Sequence, residues 1–127
     1  MSFSYAAPIV YLAIQNNVTW HDQFQIGEVT DTSWDLNNKF FIMDIKTNDT
    51  DGTPLLSISS MNQQIIVDDA IARVFHFNVD DHTIRASLSA GSTYVYDLIM
   101  VDSVNNMARD AIMSGTLEVR QGVTIED

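Results

Sequence analysis

Tyr94-Val95-Tyr96-Asp97-Leu98-Ile99-Met100-Val101 is the stretch whose reading decides the fold. Tyr94, Tyr96, Leu98 and Met100 fall on one side, and Val95, Asp97, Ile99 and Val101 on the other. A period of two with β-branched and aromatic residues marks a strand. Both sides are apolar enough to predict a strand partly covered on its two faces. Working outward, Lys39 to Lys46 repeats the pattern, with Phe41, Met43 and Ile45 against Phe40, Ile42 and Asp44. Arg73 to Val79 sets Phe75, Phe77 and Val79 against Val74, His76 and Asn78. Near the end, Met113, Gly115, Leu117 and Val119 alternate cleanly with Ile112, Ser114, Thr116 and Glu118. Weaker strands are predicted at Ile9 to Ile14, Gln23 to Val29, Leu55 to Ser59 and Gln64 to Val67.

Turn chemistry separates these runs. Asn48-Asp49-Thr50-Asp51-Gly52, followed by Pro54, is a loop, because Asn, Asp and Gly tolerate the conformations that turns demand. Asn105-Asn106 lies between two long strand patterns and predicts a hairpin tip. Asp80 to Leu88 is the one helical turn: Asp80 or Asp81 can cap it, and Ile84 and Leu88 fall four apart. Short strands with one short helix near residues 80–88 predict an all-β chain folded as an antiparallel β-sandwich. Residues 1–8 read as an N-terminal arm and residues 9–127 as a single domain.

Composition narrows the function classes. The chain has 127 residues, six Lys plus Arg against 17 Asp plus Glu, and a formal net charge of −11. Such a balance repels phosphate backbones and anionic headgroups, so neither nucleic acid nor a membrane surface is an expected partner. No apolar run reaches the roughly 18–20 residues of a membrane helix, and Met1-Ser2-Phe3-Ser4-Tyr5 lacks the basic start of a signal peptide. With no cysteine, disulfides, thiol catalysis and thiolate metal sites are excluded.

The chemistry-bearing residues do not assemble into a reaction motif. Asp44 and Asp97 each interrupt an apolar strand, where an inward carboxylate would be a raised-pKa base or a metal ligand; an outward or hydrogen-bonded Asp is the plainer reading. Asp80-Asp81-His82 and His21-Asp22 supply metal-ligand types, yet adjacent strand residues point to opposite faces. His76 alternates with phenylalanines and is expected on the outer face. Asp49-x-Asp51-Gly52 lacks the downstream Glu of a calcium loop. No Gly-x-Ser-x-Gly occurs, and the five glycines are too dispersed to cradle a phosphate. Asn17-Val18-Thr19 and Asn48-Asp49-Thr50 are glycosylation sequons without an indicated secretory route. The reading is a protein with no catalytic residue, no cofactor and no metal.

The order of segments resembles a family. Trp20-His21-Asp22, then Trp34-Asp35-Leu36-Asn37-Asn38, lead into Phe40-Phe41-Ile42-Met43-Asp44-Ile45-Lys46. Ala72-Arg73-Val74-Phe75-His76-Phe77 follows, then Leu88 to Leu98 with Ala90-Gly91 and Tyr94-Val95-Tyr96-Asp97-Leu98, and finally Gly115-Thr116-Leu117-Glu118-Val119. Over residues 18–124 the chain resembles small tailed-bacteriophage structural proteins related to the amino-terminal domain of siphophage baseplate upper proteins. Asn37-Asn38 stands where that group has Thr-Gly, and Trp34 where it has a small turn residue or Pro. The resemblance implies an immunoglobulin-like sandwich without catalysis, an adaptor or appendage-anchoring module in the tail, baseplate or neck. It implies a virion location after assembly in the bacterial host cytoplasm, with other virion proteins and further copies of the chain as partners. The expected interface residues are Phe3, Tyr5, Pro8 and Ile9, docking by strand addition or as aromatic anchors, and Trp34. A glycan-binding module of a tail tip or bacterial surface is the alternative, resting on exposed Tyr or Trp.

Overall fold

The computed structural model describes residues 6–28, 30–48, 50 and 52–124. Among them the elements run β1 (Leu12–Gln15), β2 (Gln23–Gln25), β3 (Lys39–Lys46), β4 (Leu56–Ser59), β5 (Ile65–Asp69), β6 (Val74–Phe77), α1 (Asp81–Ser87), β7 (Thr93–Asp102) and β8 (Ala108–Arg120). A five-stranded sheet has the order β1-β8-β7-β3-β4, and a three-stranded sheet the order β2-β6-β5. The long apolar strand read first from the sequence, β7, is central to the larger sheet, between β8 and β3. That position half-buries Val95 and Ile99 on its outer face while Tyr94, Tyr96, Leu98 and Met100 are buried on the inner one.

The expectation of a wholly antiparallel sandwich is corrected at one ladder. β1 runs parallel to β8, with Leu12 opposite Leu117 and Ile14 opposite Val119. Residue patterning identifies strands but not their direction. β1 continues into β2 of the other sheet, so no tight hairpin ties it to a neighbour and forces antiparallel pairing. The smaller sheet is antiparallel throughout.

An aromatic pair joins the sheets, and further rings pack along the smaller one. Phe41 of β3 stacks on Phe75 of β6 with centroids 5.6 Å apart, and Trp20 stacks on Phe77 at 4.1 Å. Phe24 of β2 packs on both Phe75 and Phe77. Phe41, Met43, Ile45, Ile58, Leu98 and Met100 are fully buried from the larger sheet. Each such side chain contributes about 1.5–3 kcal/mol through removal from water, which is how a cysteine-free chain holds two layers together.

One local departure from strict alternation has a clear cause. Between β7 and β8 the register passes from Leu98 opposite Met113 to Ile99 opposite Ala111, leaving Ile112 as the extra residue of a bulge. Ile112 and Met113 are therefore both buried, although alternation predicted one in and one out. At the β7–β8 tip, Asn106 and Met107 take positive φ of 54° and 59°, and Asn38 ahead of β3 has φ 60°. Helix α1 starts where expected: the Asp80 carboxylate accepts from the Thr83 N–H at 2.7 Å, and Arg85 pairs with Asp81 one turn back at 2.7 Å.

Candidate interaction surface

The motif residues of β7 and β8 meet in one seam. Gly115 lies opposite Tyr96, and Leu117 opposite Tyr94. The Tyr96 hydroxyl donates to the Val10 carbonyl at 2.6 Å, and the Tyr94 hydroxyl accepts from the Ser89 N–H at 2.7 Å. Gly91 donates its N–H to Val119 at 2.7 Å. Gly115 has φ 151°, and a Cβ there would stand 2.3 Å from the Val10 carbonyl oxygen. Only a glycine lets the incoming chain approach β8 so closely. Burial pushes the Tyr96 hydroxyl up to about 12, because the phenolate would lose its water.

This seam places the residues expected at an interface. Pro8 accepts from the Ser114 N–H at 3.3 Å, and Val10 donates to the Ser114 carbonyl at 2.7 Å, so both are bonded to β8 of their own chain. Ile9 bridges Ser114 in parallel fashion and remains 70% exposed; Tyr11 beyond it is 76% exposed. Phe3 and Tyr5 lie outside the described residues. In a parallel ladder one parity of residues bonds to the neighbour, here Pro8, Val10 and Asn16. The amides of Ile9, Tyr11, Ala13 and Gln15 point to the side of β1 on which no other described strand pairs.

Trp34 lies elsewhere, on the 26–36 loop, half-buried against the core. Beneath it is a residue that strand patterning passed over. Arg73 is fully buried with φ 61°, and its guanidinium sits 5.3 Å from the Trp34 ring centroid. Its nitrogens donate to the carbonyls of Ile26, Glu28, Asp31, Trp34 and Ile71. The fan of five guanidinium N–H groups suits a ring of carbonyl dipoles, and it fixes this loop onto the smaller sheet. A signal was present in the sequence: position 73 shares parity with buried Phe75, Phe77 and Val79.

The remaining candidates are engaged locally. Asp44 and Asp97 come directly opposite each other on β3 and β7, in a row with Ser57 and Ser114. The Ser57 hydroxyl donates to Asp44 at 2.7 Å. An open hollow of about 260 Å³ beside them is lined by Asp44, Lys46, Val95, Tyr96, Asp97 and Ser114. His76 pairs with Asp68 at 2.8 Å, and the hydrogen bonds from His76 and then Gln23 hold the Asp68 carboxyl below its usual range. Asp22 accepts from the Trp20 indole at 3.1 Å. Among the described residues no three His, Cys, Asp or Glu side chains converge on a point that would hold a metal ion. The calcium-loop positions Asp49 and Asp51 lie outside the described residues. Trp20, one of two tryptophans able to stack on a sugar, is buried in the core. No described helix is long and apolar enough to cross a membrane. No family model and no curated protein matches the chain.

Proposed function

We propose that this chain is a non-enzymatic structural protein of a tailed-bacteriophage virion, an immunoglobulin-like sandwich serving as an adaptor or appendage-anchoring module in the tail, baseplate or neck. One observation carries the reading. Of the residues on which the resemblance rests, Tyr96, Gly115 and Val119 meet the incoming chain at Val10 and Ile14, while Gly91 and Tyr94 tie the 88–94 turn to the same end of the sheet. Residues that recur in a family for a structural reason are expected to meet in this way.

Three further features support it. The sheet orders β8-β7-β3-β4 and β2-β6-β5 correspond to the G-F-C-C′ and B-E-D sheets of an immunoglobulin-like domain. Tyr94, at the start of β7, bonds through its hydroxyl to backbone five residues upstream, as a tyrosine corner does. Asn38, where the related proteins have Gly, adopts the left-handed conformation that Asn tolerates best among non-glycine residues. In this reading function lies in buried interface area shared with other virion proteins and with further copies, not in a reactive group. The test is mass spectrometry and gold labelling of purified particles from the phage that encodes the chain. The protein at a fixed stoichiometry and a single location is the expected result; its absence from particles overturns the proposal.

A further inference from the structure

Among the described residues, β1 and β4 edge the larger sheet and β2 and β5 the smaller, each with no further described strand beside it. Exposed edges invite pairing with another chain unless they are short, bulged or charged. β2 has three residues and follows Asp22; β4 has four, as β1 does, but its backbone bonds extend only from Leu55 to Ser60, against Pro8 to Asn16 for β1 with its lead-in. β5 is bulged between Val67 and Asp69 and carries Asp68 and Asp69. β1 with its lead-in is unlike these. Ile9-Val10-Tyr11-Leu12-Ala13-Ile14-Gln15 holds to β8 from Val10 through the length of β1 and contains no charged side chain. Residues 1–20 contain no Asp, Glu, Lys or Arg at all, so the whole net charge of −11 is carried by the remainder.

We infer that β1 is a self-association edge, and that its occupant is β1 of a second copy of this chain, antiparallel about a two-fold axis. This rests on the assembly reading above and names its surface and partner. The charge distribution selects the occupant. A basic partner would be drawn to the acidic remainder of the surface, not to an uncharged edge. A second copy with the same charge meets least repulsion here. Antiparallel pairing of identical strands is self-complementary, as a two-fold contact requires. An axis near Leu12 sets the outward amides of Ile9, Tyr11, Ala13 and Gln15 against the same four in the second copy, joining two five-stranded sheets into one. Exposed Ile9 and Tyr11 then gain cross-strand neighbours on the outer face. The contact is smaller than a standard interface, so association is expected to be weak in free solution and favoured where copies cluster in a particle.

The experiment is sedimentation equilibrium on the intact chain up to about 1 mM, with Ala13→Lys as the edge-blocking variant. A dimer for the unaltered chain and at least about tenfold weaker association for Ala13→Lys is the expected pair of results. In parallel, amide exchange of the unaltered chain is followed against concentration, which stays informative if the variant fails to fold. Exchange at Ile9, Tyr11, Ala13 and Gln15 slows as dimer forms, while Val10, already bonded to Ser114, does not change. A monomer at all concentrations, an association untouched by Ala13→Lys, or protection at other edges overturns the inference. None of these results touches incorporation into particles, which tests the virion reading separately.

Discussion

Arg73 shows how one side chain can organise a loop that has little secondary structure of its own. Its positive φ costs about 1–2 kcal/mol for a non-glycine residue, and the guanidinium gives up water on entering the core. Both are offset by hydrogen bonds to the five carbonyls from Ile26 to Ile71 and by the Trp34 ring. Arg73→Met removes every donor and leaves buried acceptors unmatched, so a loss of about 3–5 kcal/mol is expected in urea unfolding. Arg73→Lys recovers only part, since one ammonium cannot span that arc. A loss under about 1 kcal/mol for Arg73→Met would show that the loop holds its shape by other means. Tyr96 makes a different residue-scale statement. Burial holds its folded pKa at about 12, above the ordinary tyrosine value of about 10. The contribution is therefore complete below pH 10 and lost as pH rises through the folded value. Unfolding midpoints are expected to fall between about pH 10 and 12 more steeply for the native chain than for Tyr96→Phe, which has no proton to lose.

Elements explain why the fold was largely readable and where reading stopped. β3, β6, β7 and β8 each carry a bulky apolar parity, and burial of that parity fixes both the strand and its inward face. Asp80 with Ile84 and Leu88 disclosed α1 for the same reason, local chemistry acting on local structure. The parallel direction of β1 was not legible, because it depends on contacts with residues about a hundred positions away. The Ile112 bulge was hidden because an extra residue leaves the apolar pattern on either side intact. Of the expected interface residues, Pro8 and Ile9 are both exposed, and the Pro8 carbonyl is the one turned toward β8, a distinction set by ladder parity and invisible until β8 was known to be the neighbour. Gly115 is where this element-scale arrangement is most exposed to change. Gly115→Ala puts a methyl group into the Val10 carbonyl, which is backbone and cannot swing aside. β1 is expected to lift from β8, costing about 2–4 kcal/mol. Faster exchange at Val10, Leu12 and Ile14, with the β3–β7 ladder unchanged, is the signature. Unchanged protection at Val10 would disprove the argument.

At the scale of the whole molecule the dominant fact is like charge held at close quarters. Seventeen acidic residues face six basic ones, and the Lys and Arg ion pairs among the described residues, Lys39–Asp102, Arg85–Asp81 and Arg120–Glu118, are partly or well exposed. Exposed pairs contribute about 0–1 kcal/mol each, whereas the unpaired carboxylates repel one another over the whole surface. Folding brings these charges together, so the compact state carries more self-repulsion than the extended chain. Raising ionic strength from about 10 mM to 0.3 M shrinks the screening length from about 30 Å to 6 Å and removes most of that repulsion while weakening few favourable pairs. The thermal midpoint in potassium chloride is therefore expected to rise by several degrees across this range. A falling midpoint would mean that the ion pairs outweigh the repulsion. Screening acts in the same direction between molecules: because the β1 edge is uncharged, salt relieves repulsion between approaching copies without weakening the contact itself. Association measured at about 10 mM salt is expected to tighten at 0.3 M, where a contact built on opposite charges would loosen.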